Sequence, residues 1–193
     1  MKMNSEVWNL GWNVVLASSA LGLAVWAGWL DWRSRRIPNW LTVPALGAGL
    51  AVNALAWRWA GTKQSLEGAG LGLAILLPFV LLRGLGAGDW KLMGALGAWL
   101  GPSRLTVVLF GTVFIAGVMA VVQMIRHRRV KETLQHLGIL LGIMATFGVW
   151  GQRHNLTLDN PALMRLPFGV AAAASTVLFF GTLSALQILH SLK

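Results

Sequence analysis

Cysteine is absent from all 193 residues. That excludes disulfides, thiolate metal sites and a cysteine nucleophile. Acidic side chains are nearly as scarce, since Glu6, Asp31, Glu67, Asp89, Glu132 and Asp159 are the whole set. Charged residues make up 11% of the chain and apolar residues 56%, whereas a soluble domain carries about 25% charge. A chain this short and this apolar reads as one membrane-embedded domain over residues 1–193, built from several helical spans. Two hydrolase signatures are also missing: there is no His-Glu-x-x-His zinc motif and no Gly-x-Ser-x-Gly elbow. His127, His136, His154 and His190 lie between apolar runs or at the end of the chain, as interfacial side chains do. No metal or cofactor is expected.

What charge there is leans one way, to a formal net +10. Nucleic acid is not the implied partner, because the basic residues fall in short clusters between apolar runs. Cytoplasmic loops of membrane proteins have that pattern, and anionic lipid is what they meet. The apolar runs are Val7–Leu30, Trp40–Trp57, Gly68–Leu82, Leu92–Leu100, Leu105–Ile125 and Val170–Leu189. The first is too long for the core of a cleaved signal, so a retained span is expected. Gly61-Thr62 reads as the turn between the second and third, and Pro78 as a kink in the third. Leu137–Trp150 has the length of an interfacial or re-entrant piece. The expectation is therefore an all-α polytopic membrane bundle of about six transmembrane helices, with the N-terminus outside.

That orientation puts residues 31–39, 83–91 and 126–167 in the cytoplasm. Eleven basic residues fall there: Arg33, Arg35, Arg36, Arg83, Lys91, Arg126, Arg128, Arg129, Lys131, Arg153 and Arg165. Five fall outside: Lys2, Arg58, Lys63, Arg104 and Lys193. The excess obeys the positive-inside rule. Tryptophans fit the same ends, with Trp29, Trp32, Trp40 and Trp90 as an inner belt and Trp8, Trp12, Trp57, Trp59 and Trp99 as an outer one.

The fourth run is too short. From Asp89 to Gly101 a helix reaches only ~20 Å of a ~30 Å core. Either the bilayer thins here or Gly86-Ala87-Gly88-Asp89 dips into the membrane, where irregular backbone survives only inside protein or against a wet cavity. Asp31 ends the first run at the same edge. Ionisable groups at such positions mark function by default. Two carboxyl groups in a poorly solvated site share a proton, so one can draw a proton from water while the other donates to a carbonyl oxygen. Three plainer roles compete. Asp31 can pair with Arg35 one turn on, Asp89 can be the N-cap of its helix, and Lys91 can either tune Asp89 or reach for lipid headgroups. A different function class is a small proton- or cation-coupled transporter that uses Asp31 and Asp89 as its relay.

Three stretches resemble the type IV prepilin peptidase family, the Gly-x-Gly-Asp membrane aspartyl peptidases. They are Asp31 with Arg33-Ser34-Arg35-Arg36-Ile37-Pro38-Asn39, then Gly86-Ala87-Gly88-Asp89-Trp90-Lys91, then Leu166-Pro167-Phe168-Gly169. The resemblance implies that Asp31 and Asp89 are the catalytic pair. It also implies that Gly86, Gly88, Lys91, Pro38, Asn39, Pro167, Phe168 and Gly169 position backbone and substrate around them. The implied reaction removes the short basic leader of a prepilin-like membrane protein, after a glycine, at the cytoplasmic face of the bacterial inner membrane. Bifunctional members carry a cytoplasmic insert with paired Cys-x-x-Cys and also methylate the new N-terminus. With no cysteine, this chain is more similar to the compact peptidase-only members that serve Flp/Tad-type pili.

Overall fold

A computed structural model describes residues 5–81, 85–126 and 167–191, and their regular structure is all helical. Four helices follow in order: α1 Ser5–Ser34, α2 Asn39–Leu81, α3 Ala87–Arg126 and α4 Phe168–Ser191. Each contains a stretch long and apolar enough to cross a membrane. Arg83, the basic run from His127 to Lys131, the Leu137–Trp150 run, Glu132 and Asp159 lie outside the described residues. The chain divides into two compact units, residues 1–115 with 167–193, and residues 116–166. The site belongs to the first.

Two of the helices are broken. At 1.5 Å per residue, the 43 residues of α2 would reach about 65 Å if straight, twice the thickness of a bilayer core. The backbone leaves the helical region at Trp57 (φ −129°, ψ 18°) and Arg58 (φ 52°, ψ −130°), which gives halves over 39–56 and 59–81. The sequence points to Gly61-Thr62 for this turn, and the structure moves it upstream. Gly61 serves a different purpose. A Cβ there would collide with the carbonyl of Asn53, so the missing side chain lets the second half fold back against the first. Pro78, expected to kink its segment, keeps helical dihedrals within α2, whose non-helical residues are Trp57 and Arg58. In α3 the break is Gly101 (φ 72°, ψ 173°), directly before Pro102. The left-handed φ suits glycine, and proline is tolerated in the first turn of the half that follows.

The short run of the sequence, 92–100, is buried at every position. A helix that is apolar all round belongs inside protein, and the two halves of α2 enclose this one. The Trp99 indole N–H donates to the Ala45 carbonyl at 2.8 Å, and that of Trp90 to the Leu73 carbonyl at 2.7 Å. Asn53 Nδ2 and Ser65 Oγ both donate to the Ala98 carbonyl, at 2.9 and 2.7 Å. Its length need not match the bilayer, because its neighbours are protein rather than lipid. Trp99 is accordingly a core residue at 8% exposure rather than part of an outer belt, whereas Trp32 and Trp59 are 68% and 77% exposed.

Packing is of the membrane kind. The buried side of α2 is small and polar (Thr42, Gly49, Asn53, Ser65, Gly68, Gly72), while Leu55, Phe110 and Phe114 face outward. In lipid, close approach of small residues and interhelical hydrogen bonds replace the burial of large apolar side chains. Trp99→Phe, which leaves the Ala45 carbonyl without that donor, should lower stability by about 1–2 kcal/mol. Thermal unfolding in detergent measures this, with Trp59→Phe expected to unfold like the parent protein.

Side-chain contacts tie each end of this unit. Trp57 Nε1 donates to Asn9 Oδ1 at 3.1 Å and Arg104 to Asn13 Oδ1 at 3.2 Å, so the start of α1 meets both breaks. The opposite end gathers the C-terminus of α1 and the first turns of α2, α3 and α4.

Candidate active site

Asp31 lies in the last turn of α1. The helix stops through Arg35, whose φ of 52° is left-handed and whose N–H returns to the Asp31 carbonyl at 2.8 Å. A left-handed residue closing a helix with a bond to the carbonyl four back is a recognised C-terminal cap, with proline common just beyond. Pro38 follows and biases Ile37 toward extended backbone. Its own carbonyl accepts the Leu41 N–H at 3.2 Å, and α2 begins at Asn39.

The Asp31 side chain is 5% exposed. Its Oδ2 accepts the backbone N–H of Gly169 at 2.8 Å, and the Val170 N–H lies alongside. These N–H groups open α4, where the Pro167 carbonyl accepts Val170 and Ala171 at 3.1 and 3.3 Å. The first N–H groups of a helix have no partner within it and attract an anion. Asp31 thus closes one helix with its backbone and caps another with its carboxylate. The Arg35 charge, one turn on, acts on it as well.

Asp89 is the third residue of α3. It is therefore not the N-cap, a position that falls to Gly86. Its carboxylate reaches back to the Gly86 N–H, as the third helical residue does in a capping box. The Gly86 carbonyl accepts the Trp90 N–H at 3.2 Å. Lys91 Nζ donates to Asn39 Oδ1 at 2.9 Å, joining the first turns of α3 and α2, and among the described residues it makes no ion pair with a carboxylate.

Ile37, 8% exposed, is where the three stretches meet. A Cβ on Gly88 would stand 2.7 Å from the Ile37 carbonyl oxygen, and one on Gly169 would stand 3.0 Å from Ile37 Cδ1 and 2.9 Å from Asp31 Cβ. Both glycines are required by close approach. With Ile37 held between them, Asp31 and Asp89 come near enough for the charge of one to act on the other. Phe168 is 9% exposed and Pro167 is buried, fixing where α4 starts. Ile37 is a hub that sequence reasoning did not single out as a site residue. Its signal is an apolar residue between a basic turn and Pro38-Asn39, where a solvated loop would have a polar one.

The arrangement unites a buried carboxyl group anchored by the Gly169 N–H with a partly exposed one at a helix start. Such a pair can act as general acid and base on a water and a carbonyl without a covalent intermediate. Among the described residues no three histidine, aspartate or glutamate side chains gather as metal ligands.

Residues 18–121 match the model of the type IV leader peptidase family, a stretch holding both aspartates and ending before Pro167. A prepilin leader peptidase/N-methyltransferase of Burkholderia pseudomallei is 36% identical over 166 residues, 79% of this chain and 42% of that protein. One from Dickeya chrysanthemi is 30% identical over 179 residues, covering 89% and 53%. One from Klebsiella pneumoniae is 37% identical over 103 residues, covering 50% and 43%. The chain thus spans about half the length of these relatives. No solved structure matches it. With the family model covering more than half of the chain and both carboxylates inside the match, the chain belongs to the type IV leader peptidase family.

Proposed function

We propose that this protein is an aspartyl endopeptidase that cuts the short basic leader from prepilin-like membrane proteins. The cut falls after a glycine, at the cytoplasmic face of the bacterial inner membrane. The observation that carries this reading is the meeting of Asp31 and Asp89 across Ile37, with Gly169 holding the first and Gly86 the second. One proton is shared between the two carboxyl groups. The ionised member takes a proton from the attacking water, and the neutral member donates to the scissile carbonyl oxygen. The substrate's apolar helix lies in the bilayer, so its scissile bond meets the carboxylates at the membrane edge.

The proposed topology has six crossings and an external N-terminus. Each half of the broken α2 and α3 counts as one crossing, which supports it, as does the excess of basic residues on one side. A proton-coupled transporter needs its carboxylates near mid-bilayer, whereas both of these stand at helix ends. The names of the relatives pair the peptidase with an N-methyltransferase. The peptidase alone is proposed for this chain, which has no cysteine for the paired Cys-x-x-Cys that bifunctional members carry.

Reconstituted protein should cut a prepilin-like peptide once, at the leader boundary, and a peptide left whole at every lipid composition tried would overturn the proposal. Gly169→Ala tests the geometry more finely. Its methyl group would push on Asp31 Cβ and Ile37 Cδ1, both about 3 Å away. Displacing a reacting group by a fraction of an ångström should lower the cleavage rate roughly 10- to 100-fold. Single-turnover rates at saturating peptide measure this.

A further inference from the structure

Glycine weakens the interior of a helix, so a glycine kept there needs a reason. Helix α1 holds three, Gly11, Gly22 and Gly28. A Cβ on Gly11 or Gly22 would meet open space among the described residues. On Gly28 it would stand 2.7 Å from the Ala173 Cβ, 3.2 Å from the Gly169 carbonyl oxygen and 3.6 Å from the Val170 Cα. Small residues commonly bring membrane helices together. What sets Gly28 apart is its neighbour, the opening turns of α4, which begin with the N–H that holds Asp31.

Asp31 follows Gly28 by three residues, and Ala173 follows Gly169 by four, so each pair shares one face of its helix. The Gly28 contact and the bond from the Gly169 N–H to Asp31 Oδ2, at 2.8 Å, therefore lie along one seam, about 4.5 Å apart on the α1 axis. Both depend on the same gap between α1 and α4, but their tolerances differ. Methyl carbons rest about 3.5–4.0 Å apart, so a side chain at 28, starting 2.7 Å from Ala173, would drive the helices apart by roughly 1 Å. An N–H···O bond reaches only to about 3.2 Å, which leaves the 2.8 Å bond roughly 0.4 Å of play. The seam cannot open for a methyl group and keep the bond.

We propose that Gly28 is a positioning residue: having no side chain, it holds α1 and α4 at the separation that keeps the Asp31 carboxyl group on the Gly169 N–H and so beside Asp89. The inference rests on the peptidase reading above. It goes further by naming a residue outside the three stretches that carry the family likeness.

The test compares the 193-residue parent protein with Gly22→Ala, Gly28→Ala, Ala173→Gly and the double variant Gly28→Ala/Ala173→Gly in bilayers, using a prepilin-like peptide, alongside thermal unfolding of each. Gly28→Ala should lower kcat roughly 10- to 100-fold, the scale for a reacting group moved by up to about 1 Å. Its KM should stay within about twofold, because the carboxyl pair is disturbed and not ground-state binding. Gly22→Ala should cut at the parent rate. Ala173→Gly should do so too while melting lower, since glycine is the poorer helix former. The double variant decides. With the Ala173 methyl removed, the methyl at 28 faces the Gly169 carbonyl at 3.2 Å, close to the ~3.3–3.6 Å of an ordinary C–H···O contact, so most of the lost rate should return. A Gly28→Ala protein as fast as the parent overturns the inference, as does a double variant as slow as Gly28→Ala, or a loss that falls on KM. A Gly28→Ala chain that does not fold overturns it too, since the contact would then serve the helix pair as a whole. In each of those cases the parent still cuts and the peptidase reading stands. A parent that does not cut overturns both.

Discussion

Asp31→Asn and Asp89→Asn should each reduce cleavage of a prepilin-like peptide by about a thousandfold or more, while the protein still inserts and folds. General acid–base groups contribute roughly 10²–10⁴-fold. Removing either member of a proton-sharing pair also disables the other, so the double variant should be no slower than the singles. Folding should survive for reasons visible in the site. Asparagine keeps an oxygen where Oδ2 of Asp31 accepts the Gly169 N–H at 2.8 Å, so the first turn of α4 stays capped. What is lost there is the charge on a helix start, about 0.3–1 kcal/mol. The same holds at Asp89, whose bond to the Gly86 N–H an amide oxygen can replace. Rates from peptide cleavage, with melting temperatures as the folding control, separate the two effects. Retained cleavage in either variant would remove that aspartate from the mechanism.

The second large effect concerns stability. Gly68 in α2 and Gly97 in α3 pack backbone to backbone, and a Cβ added to either would collide with the carbonyl oxygen of the other. Nothing flexible is available to yield, because the obstacle is main chain. Gly97→Ala should therefore lose about 2–3 kcal/mol through overpacking, despite alanine's better helix propensity. A Cβ on Gly70, two residues from Gly68, would have open space around it among the described residues. Gly70→Ala should be as stable as the parent or up to about 1 kcal/mol more stable. Denaturant titration in detergent compares the two. A Gly97→Ala protein as stable as the Gly70→Ala control would show that the buried 92–100 helix is not held by this contact.

Much of this architecture is readable from residues alone, and the exceptions share a cause. Scarce charge and long apolar runs specify helices, and Gly101-Pro102 is legible as a boundary because only glycine tolerates its φ. Gly61 misleads because glycine signals close approach as readily as a turn. Trp99 misleads because lipid and protein interior are equally apolar, so composition does not say which one an indole meets. The length mismatch of the fourth run is the better guide, since a helix too short for lipid is explained once protein surrounds it. At the site, both aspartates are legible from their rarity, and the third stretch from its likeness to the family. The wiring is not legible: Gly169 as the donor to Asp31, Ile37 as the contact between two glycines, and the third-position capping of Asp89. Those depend on which chain segments meet in space.

Because these 193 residues include no cysteine, the meeting of Asp31 and Asp89 can be measured without background. In the Asp31→Cys/Asp89→Cys double variant, a short bifunctional thiol reagent should join α1 to α3 within one molecule, as mass spectrometry of the digested protein would show. Trp32→Cys with Asp89→Cys should link poorly, since Trp32 is 68% exposed and faces away from the buried Asp31. An intramolecular link in the first variant, much faster than in the second, is the predicted result. No link in the first, or equal linking in both, would mean that the two acids do not share a site.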